Sequence, residues 1–163
     1  MNRILGLDVG DRRIGIAISD ELGITSRGLL TLKRTNYKSD TDKILSIARE
    51  NNCSAVIIGL PLNLSGEDSL QTKKVRFFAE KLLNKFLSNS MGWVRVELFD
   101  ERYSTIDAEE TLDEMGVSES RKKQIIDQQA AAVILDAWLL ENNTKENKSQ
   151  DNILTDSDNK AFD

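Results

Sequence analysis

The stretch from Ile4 to Asp20, reading ILGLDVGDRRIGIAISD, constrains this chain more than any other. Ile4, Leu5, Leu7 and Val9 make a nearly continuous apolar run, the pattern of a strand covered on both faces. One charged residue, Asp8, interrupts it, and a carboxylate there is costly unless cations or hydrogen-bond donors compensate it. Gly10-Asp11 supplies turn chemistry. Ile14, Ile16 and Ile18 then alternate with Gly15, Ala17 and Ser19, so the second face carries only small side chains. This predicts a β-hairpin with a carboxylate near its tight end and a bare face that another element can approach closely. Taken alone, Asp8 reads more readily as a hydrogen-bonded turn acid. The carboxylates further along the chain decide the matter.

Gly28 to Leu32 is short and apolar and predicts a third strand. Ser39-Asp40 can cap a helix whose stripe is Ile44, Leu45, Ile47 and Ala48. Ala55 to Gly59 reads as a buried strand, and Leu60 to Gly66 as a loop holding the only proline. A basic second helix is expected from about Ser69 to Leu87, with Leu70, Phe77, Phe78, Leu82 and Phe86 on its apolar side. Val94, Val96 and Leu98 alternate in a fifth strand that runs into Asp100-Glu101-Arg102. Ser104 or Thr105 can cap a third helix ending near Gly116, and Ser118 a fourth reaching about Leu140. Residues 142–163 are polar and aperiodic, and are expected to form a disordered tail beyond a domain of residues 1–141. Consecutive early strands can form an antiparallel meander, whereas strands separated by helices need parallel crossovers. The expected fold is α/β, a mixed five-stranded sheet with its first three strands antiparallel and helices on both faces.

Composition removes several chemistries. No histidine is present and Cys53 is the only cysteine, which excludes Ser-His-Asp and Cys-His catalysis and a thiolate metal cluster. Metal chemistry would have to use oxygen ligands, which favours magnesium or manganese. A net charge of −5 argues against a polycation that coats nucleic acid, while leaving room for local basic patches. No apolar run reaches the roughly 18 residues that span a bilayer, and Met1-Asn2-Arg3 leads directly into the first strand. The expectation is a cytoplasmic protein with no membrane partner.

Three carboxylates are candidates for chemistry: Asp8 in the first strand, Glu101 at the end of the fifth, and Asp127 on the last helix. Asp127 shares a helical face with Ala131, Ile134 and Trp138, so it heads a stripe that otherwise packs on the sheet. For any one of these acids a structural ion pair, for instance Asp127 with Arg102 or another base, is the plainer reading. Converging without histidine, they could hold a pair of divalent ions about 3.5–4 Å apart, the arrangement used for in-line phosphodiester cleavage.

At these residues the sequence resembles a known family. GLDVGDRRIGIAISD, GLPLNLSG, DERYST and DQQAAAVIL are similar to the four signature blocks of the YqgF/RuvX family, in the family's order, and span Gly6 to about Leu135. The family is described both as a Holliday-junction resolvase and as the nuclease maturing the 5′ end of pre-16S ribosomal RNA. The resemblance implies a ribonuclease H-like fold, with Asp8, Glu101 and Asp127 as an acidic triad for two Mg2+ or Mn2+ ions. It also implies binding roles for Arg13 in the hairpin and for Arg102 in the DER block. Tyr103 stands where Leu is expected, an apolar swap. The implied partner is nucleic acid, either structured RNA or branched DNA. Monomer and homodimer are both compatible with the sequence.

Other residues carry weaker signals. Asn63, in the loop after the fourth strand, could touch substrate backbone. Arg121, Lys122 and Lys123 lie within two turns of Asp127 and are the better basic cluster for phosphates, ahead of Lys73, Lys74 and Arg76. Trp93 and Trp138 read as core or rim packing. An ATPase of the actin type would need a second copy of the fold and a second Gly-rich hairpin, for which the chain has no room. A non-catalytic nucleic-acid-binding module would not require three acids.

Overall fold

The computed structural model describes residues 2–102 and 116–160. Its elements are β1 (Arg3–Val9), β2 (Arg13–Ser19), β3 (Ser26–Lys33), α1 (Tyr37–Glu50), β4 (Cys53–Leu60), α2 (Leu70–Ser88), β5 (Arg95–Asp100) and α3 (Glu119–Lys160). The strands form one five-stranded sheet in the order β3-β2-β1-β4-β5. β1, β2 and β3 pair antiparallel, and β4 is parallel to both β1 and β5. The mixed sheet expected from the spacing of strands and helices is therefore present.

Alternation along the strands sorts side chains onto two faces. Leu5, Leu7, Ile14, Ile16, Ile18, Val56 and Ile58 point to the face covered by α1 and α2. There they meet Ile44, Phe78, Leu82 and Phe86, all fully buried. Each such side chain stabilises the fold by about 1.5–3 kcal/mol through removal from water. The second face holds Ala17, Ala55 and Ile57 beneath Ala131, Ile134, Leu135 and Trp138 of α3. Small residues on the strands let that helix lie close to the sheet. This is the bare face predicted from Gly15, Ala17 and Ser19.

α1 begins earlier than expected. Its N-cap is Asn36, whose side chain accepts from the Ser39 amide at 2.8 Å, rather than Ser39-Asp40. Asp40 has another partner. It is fully buried and accepts from Arg34 Nε at 3.2 Å and from the Thr35 amide at 3.1 Å. The Arg34 guanidinium also donates to the Gly10 carbonyl at 2.9 Å and lies over the Tyr37 and Phe78 rings. This pair ties the β1–β2 turn to α1. Asp40→Asn should lower stability in urea melts by about 2 kcal/mol, because it leaves the Arg34 charge without its counter-ion. The effect stays below the ~3–5 kcal/mol of a fully enclosed pair, since Arg34 keeps its bond to Gly10. An unchanged midpoint would show that the pair does not hold the turn.

α2 starts where the sequence indicated, and Ser69 caps it in a capping box with Thr72. On that helix Leu70 and Phe77 are exposed rather than buried, and Phe77 meets Tyr37 edge to face. The helix expected between Ser104 or Thr105 and Gly116 falls on 103–115, outside the described residues. Ser118 Oγ accepts from the Arg121 amide at 3.4 Å at the start of α3. The end expected for this helix near Leu140 is corrected to Lys160. Packing on the sheet does stop at Trp138 and Leu139. Beyond them the helix carries the local contacts of Lys145 with Glu141 and of the Thr144 hydroxyl with the Leu140 carbonyl, and Asn143 donates across to the Gly23 carbonyl. Apolar periodicity reports packing, and it fades where a helix leaves the core even though the backbone continues. Among the described residues no helix is long and apolar enough to cross a membrane.

Candidate active site

Asp8 sits opposite Gly15 of β2. On its other flank Leu7 pairs with Ile58, so Gly59 follows beside Asp8. All three lie on the face turned toward α3. A methyl group at Gly15 would collide with the backbone carbonyl of Asp127. One at Gly59 would meet Glu101 Oε2 and the Ile134 side chain. The two glycines thus clear the space through which Asp127 and Glu101 reach Asp8 from opposite sides. Glu101 comes directly after β5, its amide bonded to the Leu60 carbonyl at 3.3 Å. The site forms at the carboxyl ends of β1, β4 and β5, where parallel strands present functional groups.

Electrostatics mark the same place. Burial first, and then the nearby Asp127 charge, push Asp8 up to about 6. Glu101 is pushed up to about 7 by burial, then by Asp8 and Asp100. Both acids resist ionisation at the pH where ordinary carboxylates are charged. Asp127 is compensated by Arg13, whose Nε donates to its carboxylate at 2.7 Å, with both side chains part-buried. The cation that pairs with Asp127 is therefore Arg13. Arg102 turns instead to Asp100, donating from Nε at 2.8 Å, and holds that carboxyl below its ordinary range.

The remaining sequence candidates divide. Asn63 is exposed in a closed turn, its amide bonded to the Glu67 carbonyl at 3.1 Å and its carbonyl to the Gly66 amide at 2.8 Å. This loop borders Arg102, which reaches the Leu64 carbonyl at 3.5 Å. Arg121 and Lys123 are exposed on the first turns of α3, whereas Lys122 is buried and its Nζ bonds Glu119 at 2.9 Å. Lys122 is thus directed away from the open face its neighbours share, because the period of 3.6 residues turns one of three consecutive positions inward. Lys74 and Arg76 are tied to Asp11 and Asp68. Trp138 is core, as expected, and Trp93 is largely exposed.

The donor set suits a hard cation. Asp8, Glu101 and Asp127 supply only carboxylate oxygens, which match Mg2+ or Mn2+. The raised pKa values of Asp8 and Glu101 come from burial and repulsion that a divalent cation would offset. Among the described residues no group of three or more acids is gathered tightly enough to hold an ion, and Asp127 faces Arg13. Sequence reasoning missed Gly59 and Arg34. The GLPLNLSG block begins at Gly59, but only strand register shows that it flanks Asp8.

Residues 2–141 match the family described as "RuvX: Holliday junction resolvase". A relative from Myxococcus xanthus (strain DK1622), named "Putative pre-16S rRNA nuclease", is 43% identical over 137 residues, covering 84% of this chain and 87% of the relative. One from Clostridioides difficile (strain 630), with the same name, is 40% identical over 137 residues and covers 84% of this chain and 93% of its own. Among solved structures, Thermus thermophilus RuvC in complex with a Holliday junction substrate superposes with a TM-score of 0.55 at 14% identity, covering 88% of this chain and 98% of RuvC. The yeast mitochondrial Holliday junction resolvase Ydc2 gives 0.52 at 11% identity, covering 85% and 78%. These two show a shared fold, that of the RuvC-type ribonuclease H-like resolvases.

Proposed function

The chain belongs to the RuvX family, and from that membership we propose that it is a metal-dependent nuclease that processes the 5′ end of pre-16S ribosomal RNA. One observation carries the chemistry: carboxylates from β1, the end of β5 and α3 approach one another across two glycines at one end of the sheet. Asp8, Glu101 and Asp127 would hold the ions, Mg2+ or Mn2+ and by this reading two of them. Bound there, such ions lower the pKa of the attacking water and stabilise the leaving oxygen. Arg13 fixes the position of Asp127 through its Nε and keeps its terminal nitrogens for phosphate oxygens. Arg102 with Asp100, and the loop carrying Asn63, border the site on the β5 side, where substrate backbone would pass. Arg121 and Lys123 contact phosphates from the α3 side, while Lys122 would need to leave Glu119 to do so. The absence of a membrane-crossing helix among the described residues and the single buried thiol, Cys53, are consistent with a cytoplasmic setting.

A second reading keeps the same chemistry and exchanges the substrate for a four-way DNA junction. It is favoured by the family's description and by the fold shared with RuvC. Purified protein with Mg2+ or Mn2+, offered precursor 16S rRNA and a four-way junction in parallel, distinguishes the two, with Asp8→Asn as control. Preferred cleavage of the RNA precursor is expected. Junction cleavage alone would move the assignment to resolvase, and cleavage of neither would reduce the protein to a binding module.

We place the nuclease domain at residues 1–141 and residues 142–163 outside it. The family match ends at 141, and the last buried side chains are Trp138 and Leu139. Deleting 142–163 should leave the melting midpoint within about 2 °C of the full chain and nuclease activity unchanged. Among the described residues, this segment is tied to the body by the hydrogen bond from Asn143 to the Gly23 carbonyl, whose removal costs little. A fall of several degrees would place the C-terminal helix inside the cooperative unit.

A further inference from the structure

A hollow of about 540 Å³ opens beside the acids, between the outer end of the β2–β3 hairpin and the first turns of α3. Arg12, Arg13, Lys33 and Lys123 line it together with Thr31 and Gln124. No acidic residue contributes to its wall, in a chain whose net charge is −5. Several other basic residues of the surface are matched to acids, Lys74 to Asp11, Arg76 to Asp68 and Lys85 to Asp42. Among the described residues no such ion pair engages Arg12, Lys33 or Lys123, and all three are exposed. Like charges held around one concavity without counter-ions repel one another and raise its affinity for an anion.

The floor of the hollow is fixed. The Thr31 hydroxyl donates to the Gln124 carbonyl at 2.8 Å and accepts from Gln128 Nε2 at 3.3 Å, which joins β3 to α3. Arg13 belongs to both places. It lines the hollow, and its Nε holds Asp127 at 2.7 Å. An anion in the hollow therefore lies next to the guanidinium that borders the acids. The volume falls within the ~300–1,000 Å³ of ordinary ligand sites, enough for a sugar-phosphate unit.

We infer that this hollow is a backbone subsite: it binds the phosphodiester strand on one side of the scissile bond through Arg12, Lys33 and Lys123, and so fixes the direction in which substrate crosses the acids. The inference rests on the nuclease reading and adds to it two residues, Arg12 and Lys33, to which the sequence motifs assign no role. The ligand is a polymer backbone, because the cations are spread around a hollow that shares Arg13 with the site rather than converging on one point. Sequence is not read here, since phosphate contacts position a strand without identifying its bases.

Salt-dependent binding of a labelled single-stranded RNA oligonucleotide tests this, measured by fluorescence anisotropy in chelator between about 50 and 200 mM salt. Lys33→Gln combined with Lys123→Gln should weaken binding roughly tenfold at the low-salt end and reduce the slope of log K against log salt by about 1.4, since each single-strand contact contributes about 0.7. Lys43→Gln with Lys81→Gln, which removes the same charge from the α1–α2 face, should leave the slope unchanged. Equal slopes for the parent and the hollow variant, or equal weakening in the two double variants, would overturn the subsite. So would tighter binding of inorganic phosphate than of the oligonucleotide. Melting midpoints near the parent's show that both variants are folded. The nuclease reading is scored separately by cleavage with Mg2+ or Mn2+: a parent that cleaves while the slope ignores Lys33 and Lys123 loses only the subsite. A parent that binds through the hollow and cleaves nothing loses only the nuclease.

Discussion

Asp8→Asn should melt above the parent at pH 8 in chelator, yet cleave at least about a hundredfold more slowly with Mg2+ or Mn2+. The rate follows from the place proposed for Asp8 as a metal ligand: removing a residue that merely orients a ligand already costs about 10–100-fold. The stability gain follows from linkage. Asp8 and Glu101 have folded pKa values of about 6 and about 7, raised from the ordinary 3.8 and 4.5. A raised value means that the folded protein binds the proton more tightly than the unfolded chain. The stability contributed is complete below about pH 4 and is lost as the pH rises through 6 and 7. At pH 8 both acids are charged and the fold carries the cost, at most about 3 kcal/mol for Asp8 at about 1.4 per unit. Asparagine keeps the shape and removes that charge along with its repulsion on Glu101. A net gain of about 1–2 kcal/mol is expected, or several degrees, shrinking to nothing below about pH 4. Added metal should raise the midpoint of the parent and leave the variant nearly unmoved. A variant that melts well below the parent in chelator, with a parent indifferent to metal, would make Asp8 a structural acid.

Asp127 behaves differently, and the sequence does not show why. By composition and spacing Asp8 and Asp127 are alike, two carboxylates on apolar faces. The structure pairs only Asp127 with a cation, Arg13. Asp127→Asn should therefore bring no stability gain, because it releases that guanidinium as it relieves Asp8. The periodic features are legible in the sequence: alternation of Ile14, Ile16 and Ile18 with small residues, the start of α2 near Ser69, the Ser118 cap, and the stripe from Asp127 to Trp138. Such signals are local, and local geometry dictates them. Features set by which strand lies beside which are not legible. That Gly59 flanks Asp8 and that Arg12 and Lys33 meet Lys123 depend on pairing across long stretches of chain, and that Arg34 answers the buried Asp40 depends on how the chain turns from β3 into α1. Asn36 is masked as a cap because Ser39-Asp40 offers the same chemistry three residues later. The continuation of α3 beyond Leu140 is hidden because a helix without a packing face leaves no hydrophobic period.

Gly15→Ala should be the most damaging single-methyl change in the described part of the fold. The position lies inside β2 and does not need a left-handed backbone, so alanine is acceptable to the strand itself. The obstacle is the helix above it. The new Cβ would fall within the van der Waals shell of the carbonyl carbon and oxygen of Asp127, and 3.0 Å from its Cβ. These are backbone atoms of α3, and no rotamer change can move them aside. The whole segment must retreat from β2, separating Ala131, Ile134, Leu135 and Trp138 from Ala17, Ala55 and Ile57. Forcing one methylene into a packed core typically costs about 1–3 kcal/mol. With rigid backbone as the neighbour, about 3 kcal/mol or more is expected, read as a lower urea midpoint. Gly92→Ala is the control: its Cβ would approach only the Leu87 Cδ2 at 2.9 Å, the movable end of a side chain. That variant should stay within about 0.5–1 kcal/mol of the parent. Activity separates packing from function. If any Gly15→Ala protein folds, Asp127 and Arg13 have shifted away from Asp8, and cleavage should fall further than the folded fraction does. Parent-like stability and activity would mean that α3 does not lie against β2 at this point, and Asp127 would then lose its place in the site.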